Sequence, residues 1–79
     1  MKVEIVTPDT ALFSKENVTL VQLPGMDGSF EVMNDHAPLI SVLKKGTIKV
    51  SVKGETDQYF DVNGGVIEVL SNKVLILAE

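Results

Sequence analysis

The sequence predicts an all-β fold, a sandwich or a barrel of short strands. Three observations predict it. Val, Ile and Thr are abundant and alternate with polar residues at a period of two. Turn signals recur every eight to ten residues, the spacing of antiparallel all-β folds. No segment keeps a helical period over three turns.

The elements follow in order. Val3 and Ile5 alternate with Lys2, Glu4 and Thr7 as a first strand, which Pro8-Asp9 ends. Ala11 to Ser14 is a short second strand, broken by Lys15-Glu16-Asn17, and Val18 to Leu23 is a third, ending at Pro24. Pro24-Gly25 suits a type II turn, with Pro setting φ at the first central position and Gly taking a positive φ at the second. Asp27-Gly28 offers a second reversal behind it, and Phe30 to Val32 is a fourth strand. Asn34-Asp35 turns the chain again, and Pro38 pushes Ala37 towards an extended conformation. Leu39 to Leu43 has no clean period, but five residues are too few for a stable helix, so a strand is expected there.

The second half is more regular. After the Lys45-Gly46 turn, Thr47 to Lys53 alternates cleanly, with Ile48, Val50 and Val52 on one face. Lys53-Gly54-Glu55 makes a tight hairpin to Asp57 to Val62, which buries Phe60 and Val62 and leaves Gln58 near a strand end. Asn63-Gly64-Gly65 suits a positive φ or a bulge. Gly65 to Leu70 and Lys73 to Ala78 form a last hairpin across Ser71-Asn72. Val74 to Leu77 is continuously apolar, so this strand is expected to be covered on both faces.

Length and composition bound the function. The 79 residues are expected to form one domain with an aliphatic core, for there is no Trp, one Tyr (Tyr59) and three Phe (Phe13, Phe30, Phe60). No cysteine is present, which excludes disulfides and thiolate metal sites. A net charge of −4, no arginine and dispersed lysines argue against nucleic acid. No apolar run approaches the ~20 residues of a membrane span, and Met1-Lys2-Val3-Glu4 does not open a signal peptide. Membrane contact is therefore expected only through a partner.

Candidate chemistry is sparse. The one histidine, His36, could join Asp35 and a serine, but nothing resembles a nucleophile elbow. His36, Asp35 and Asp27 lack a recognised metal-ligand spacing. Gly25-Met26-Asp27-Gly28 and Gly64-Gly65 each precede a strand rather than a helix, so neither is a phosphate loop. No catalytic, cofactor or metal residues are assigned. His36 is expected to be partly buried, with its ring bonded to loop backbone. Lys53 at a hairpin tip leaves open a lipoyl- or biotinyl-type carrier domain, although Val52 and Gly54 are the wrong neighbours for one. A generic β-sandwich adaptor is the other alternative.

The densest stretch, Leu23 to Leu39, carries a resemblance. Leu23-Pro24-Gly25, Gly28, Phe30, Val32 and His36-Ala37-Pro38-Leu39 at this spacing resemble the epsilon subunit of F-type ATP synthases. The likeness extends to Val3-Glu4-Ile5-Val6-Thr7-Pro8, Leu12-Phe13, Lys45-Gly46, Gly64-Gly65 and Asn72-Lys73-Val74 through Leu77-Ala78-Glu79, essentially the whole chain.

The resemblance implies a flattened β-sandwich of about ten short, mostly antiparallel strands, without catalytic activity or cofactor. It implies a central-stalk rotor subunit, monomeric when isolated, on the cytoplasmic side of a bacterial membrane. Its partners would be the gamma subunit and the ring of membrane c subunits, and it would couple proton-driven rotation to ATP synthesis. The loop Gly28, Ser29, Phe30, Glu31 would face the c ring. His36, Ala37, Pro38, Leu39, Ile40, Ser41 and Val42 would face gamma, with an exposed apolar patch near Leu39 to Val42. Relatives often carry an acid at the position of Ser29; Glu31, two residues along the same strand face, can supply that charge. The family's helical domain, which inhibits hydrolysis and in some members binds ATP, would begin where this sequence stops, so neither activity is expected of these residues.

Overall fold

The computed structural model describes residues 1–79. Nine strands form: β1 (Lys2–Val6), β2 (Ala11–Lys15), β3 (Val18–Gly25), β4 (Gly28–Met33), β5 (Leu39–Leu43), β6 (Gly46–Val52), β7 (Gln58–Val62), β8 (Gly65–Leu70) and β9 (Lys73–Ala78). There is no helix, and hence none long and apolar enough to cross a membrane.

The strands make one curled sheet in the order β2-β1-β9-β8-β5-β3-β6-β7, with β4 on the remaining edge of β3. It works as two layers. One is β2-β1-β9-β8-β5 and the other is β4-β3-β6-β7. They join where β3 changes partner: Val18 to Gln22 pairs with β6, and Gly25 alone pairs with Leu43 of β5. The far edges meet as well. The rings of Phe13 on β2 and Phe60 on β7 make an edge-to-face contact at 5.6 Å. All pairings are antiparallel except β1 with β9.

Alternation sets what lies between the layers. Every buried side chain is apolar, led by Ile5, Leu23, Ile48, Ile67 and Ile76, and no polar side chain is trapped without a partner. That agrees with the aliphatic core expected from composition. Ile67→Ala should lower stability by about 3 kcal/mol, read as a fall in the urea midpoint at unchanged slope.

Two local expectations are corrected. Pro24-Gly25 is not a type II turn, for Gly25 has no positive φ and β3 runs straight through both residues. The reversal is Met26-Asp27, closed by the pair Gly25 and Gly28, and the positive φ falls on Gly28. Pro24 is tolerated because it sits in the gap between the β6 and β5 pairings of β3. Its carbonyl points to that side, accepting from Lys44 N–H at 2.9 Å, so the missing N–H removes nothing from the β4 ladder. Gly25 is needed for closeness instead. A Cβ there would lie 2.6 Å from the Gly28 carbonyl oxygen and 2.8 Å from the Phe30 ring.

The second correction concerns β9. Its burial alternates, so Val74, Ile76 and Ala78 face the core while Leu75 and Leu77 lie on an outer face that nothing in the chain covers. The run is apolar on both sides, but only one side is packed within this fold.

Candidate functional site

The two outer faces of the sandwich differ in chemistry. The β4-β3-β6-β7 face is mostly polar, with Gln22 opposite Glu31, Gln22 also opposite Lys49, and Thr47 bonded to Asp61 at 2.8 Å. Tyr59 is its exposed aromatic. The β5-β8-β9-β1 face carries an apolar band. Register places Val42 beside Val66, Val66 beside Leu77, and Leu77 beside Val6, an unbroken aliphatic row across four strands. The next row reads Ile40, Glu68, Leu75, Glu4, with two carboxylates set among the aliphatics. Ile40 is 74% exposed, Val42 55% and Leu77 50%. Scattered surface aliphatics need no explanation, whereas a contiguous patch marks a contact surface.

The exposed apolar patch expected near Leu39 to Val42 is therefore present, and it is larger than the sequence indicated. β5 alternates, so Ile40 and Val42 point outward while Leu39 and Leu43 turn to the core. Val66, Leu70, Leu75 and Leu77 continue the patch and were not singled out from sequence. For Leu75 and Leu77 the signal was the continuous run Val74 to Leu77, read as a doubly covered strand; for Val66 and Leu70 it was the alternation of Gly65 to Leu70.

The loop Gly28, Ser29, Phe30, Glu31 lies at the β3–β4 tip. Ser29, Glu31 and Met33 share the exposed face of β4, so Glu31 does present its carboxylate where Ser29 points. Phe30 does not project: its ring is half-buried over Gly25 against the core. A shallow groove brings this tip together with Ile40 and Val42, and Met26 N–H donates to the Val42 carbonyl across it at 3.3 Å.

His36, Ala37 and Pro38 lie at the other end of β5. His36 is half-buried, and its Nδ1 lies 2.6 Å from the Ala37 carbonyl oxygen. A carbonyl only accepts, so Nδ1 carries the proton. The ring is thus bonded to loop backbone, as expected for it. No three His, Asp or Glu side chains converge as a metal site. Lys53 stands exposed at the β6–β7 turn, where a carrier-domain lysine would stand.

The family described as ATP synthase, Delta/Epsilon chain, beta-sandwich domain matches residues 1–79. The chain belongs to it. Within the family it is 44% identical over 78 residues to the ATP synthase epsilon chain of Chlorobium limicola, covering 99% of this chain and 88% of that one. It is 40% identical to the epsilon chain of Pelagibacter ubique, where it spans 58% of the relative's length. The same fold recurs in chains of two cryo-EM structures of mitochondrial ATP synthases. One is the central stalk and c ring of Tetrahymena thermophila, with TM-score 0.86 and 20% identity, covering 98% of this chain and 61% of that chain. The other is the OSCP/F1/c-ring assembly of Euglena gracilis, with TM-score 0.89 and 19% identity, covering 96% and 48%. At such identities these two show the fold. The relatives are epsilon chains of ATP synthases, and with the family shown the carrier-domain alternative loses its ground.

Proposed function

We propose that this chain is a non-catalytic rotor subunit of a proton-translocating F-type ATP synthase, linking the gamma subunit to the membrane c ring. It sits peripherally, on the cytoplasmic side of a bacterial membrane, and passes ring rotation to the catalytic head through a stiff β-sandwich. Inhibition of hydrolysis and ATP binding form no part of the role of these 79 residues.

The observation that carries this reading is the asymmetry of the outer faces. One face is polar and suits solvent, and the other presents the aliphatic row Val42, Val66, Leu77, Val6 to an occupant. We assign that occupant to gamma, with His36, Ala37, Pro38, Leu39, Ile40, Ser41 and Val42 along its margin. The β3–β4 tip, Gly28, Ser29, Phe30 and Glu31, is assigned to the c ring, with Glu31 supplying the charge. A standard interface of about 800 Å² per partner is roughly a sixth of the 4737 Å² surface, so one layer face is large enough for one partner.

Sedimentation velocity with the gamma subunit from the same source tests the proposal. A stoichiometric one-to-one complex is expected at micromolar concentrations. Two folded proteins that sediment separately would count against gamma as the partner. A c ring added to the complex should co-sediment with it, and Glu31→Lys should weaken that step while leaving gamma binding intact.

A further inference from the structure

We infer that Asn72 is a positioning residue for gamma docking: its side-chain oxygen clasps the β4–β5 loop and holds the His36 to Pro38 segment in the conformation that docks. The inference rests on the docking reading above and adds to it a residue on a different hairpin.

Four observations carry it. Asp35 N–H donates to Asn72 Oδ1 at 2.9 Å, across 37 positions of sequence. A backbone N–H only donates, so the side-chain oxygen of Asn72 is the atom that faces it. The same residue fastens the start of the chain, for its backbone carbonyl accepts from Lys2 N–H at 3.2 Å. Next door, the α-ammonium of Met1 donates to Asn34 Oδ1 at 2.7 Å and to the Val18 carbonyl at 3.0 Å. The two residues that open the loop, Asn34 and Asp35, are therefore each tied to a separate part of the fold.

Backbone conformation points to the same place. Asp35, Ser71 and Asn72, with φ of 63°, 51° and 60°, are the only non-glycine residues of the chain in the left-handed region. They lie on the two sides of one hydrogen bond. Ser71 and Asn72 are the two central residues of the β8–β9 hairpin, where a type I′ turn takes positive φ at both, so Asn72 is presented in a fixed geometry. Asp35 takes its positive φ as the third residue of the Met33–His36 turn, and Asn72 holds the amide of that residue. Past Asp35 the loop is closed by His36 N–H on the Met33 carbonyl at 3.2 Å and by the ring of His36 on Ala37. Ala37 and Pro38 are exposed and have no further support. Without the clasp, the segment would populate its docking conformation only part of the time, and apparent affinity falls by that fraction.

Three chains and two measurements test this. Asn72→Gly keeps a residue at ease with positive φ and keeps the carbonyl that Lys2 uses, but removes the acceptor for Asp35. Asn72→Asp restores an acceptor oxygen at the same reach. Hydrogen exchange at the Asp35 amide is expected to quicken at least about tenfold in Asn72→Gly and to return towards wild type in Asn72→Asp, with melting temperatures alike. Binding to immobilised gamma subunit should weaken about tenfold in Asn72→Gly, mainly through a slower association rate, and Asn72→Asp should rescue it. An Asp35 amide that exchanges equally in all three chains overturns the clasp. Quickened exchange with wild-type association overturns its part in docking. A wild-type chain that does not bind gamma overturns the docking reading and this assignment of purpose with it, while the exchange data separately report whether the clasp exists.

Discussion

Replacing Ile40 and Val42 together with aspartate should lower affinity for the gamma subunit at least about 100-fold while leaving the melting temperature nearly unchanged. Both side chains stand outside the core, so the free sandwich loses little when they become polar. Bound, each would lose about 1.5–3 kcal/mol of apolar burial, and each new carboxylate would also have to be stripped of water without a partner. With 1.4 kcal/mol to a factor of ten, two such sites give roughly two to four orders of magnitude. Calorimetric titration with gamma reads the affinity, and a thermal melt of the free variant checks the fold. Tyr59→Asp is the control, exposed on the opposite outer face, and it should leave gamma binding as it was. If Tyr59→Asp damages binding and the double variant does not, gamma sits on the polar face and the assignment is reversed.

Gly65→Ala should be the most damaging single-methyl change in the protein. Gly65 opens β8 between two neighbours, paired with Leu43 on β5 and with Ala78 on β9. Its φ is 150°, and a Cβ would lie 2.3 Å from the Leu77 carbonyl oxygen and 3.2 Å from the Ala78 Cα. The obstacle is backbone, so no side chain can rotate away to make room. Either the end of β9 leaves the ladder or β8 shifts, and each breaks the layer where the aliphatic row crosses it. A loss of about 3 kcal/mol or more is expected from an unfavourable φ together with overpacking. For a chain of this size each kcal/mol moves the midpoint by about 4–8 °C, so scanning calorimetry should record a fall of ~12 °C or more. A variant that melts with wild type would mean that Gly65 and Ala78 do not pair as described.

The strands were legible because each is short, alternates and is bounded by turn residues. Thr47 to Lys53 shows this best, for parity alone put Ile48, Val50 and Val52 in the core. The stretch around Pro24 was not legible in the same way. Pro-Gly carries the local preference of a turn, and what overrides it is a partner change in the middle of β3 that depends on β5 and β6, more than fifteen residues away. The exposed aliphatic surface was half legible. Parity within β5 separates Ile40 and Val42 from Leu39 and Leu43, but only register across β5, β8 and β9 puts Val66 and Leu77 in line with Val42. The same run that identified β9 as a strand, Val74 to Leu77, was read as covered on both faces because composition alone does not tell a doubly packed strand from one whose outer side chains stay exposed. The link from Asn72 to Asp35 is of the same non-local kind.

The parallel pairing of the first strand with the last has a consequence for how the protein is made. Lys2 to Val6 lies along Lys73 to Leu77, so β1 has only the β2 hairpin as a neighbour until β9 exists. A ribosome adding about 5–20 residues per second takes several seconds to travel between them. For that time Val3 and Ile5 face an unfinished interior and one edge of β1 is open, the kind of surface that nascent-chain chaperones hold. The closing step cannot begin early, since contacts of such long separation are slow to form and need both ends present. A product broken off before Lys73 would lack β9, with it Leu77 of the aliphatic row, and the Asn72–Lys73 corner. Synthesis therefore carries its own completeness check: an unfinished chain cannot close its core.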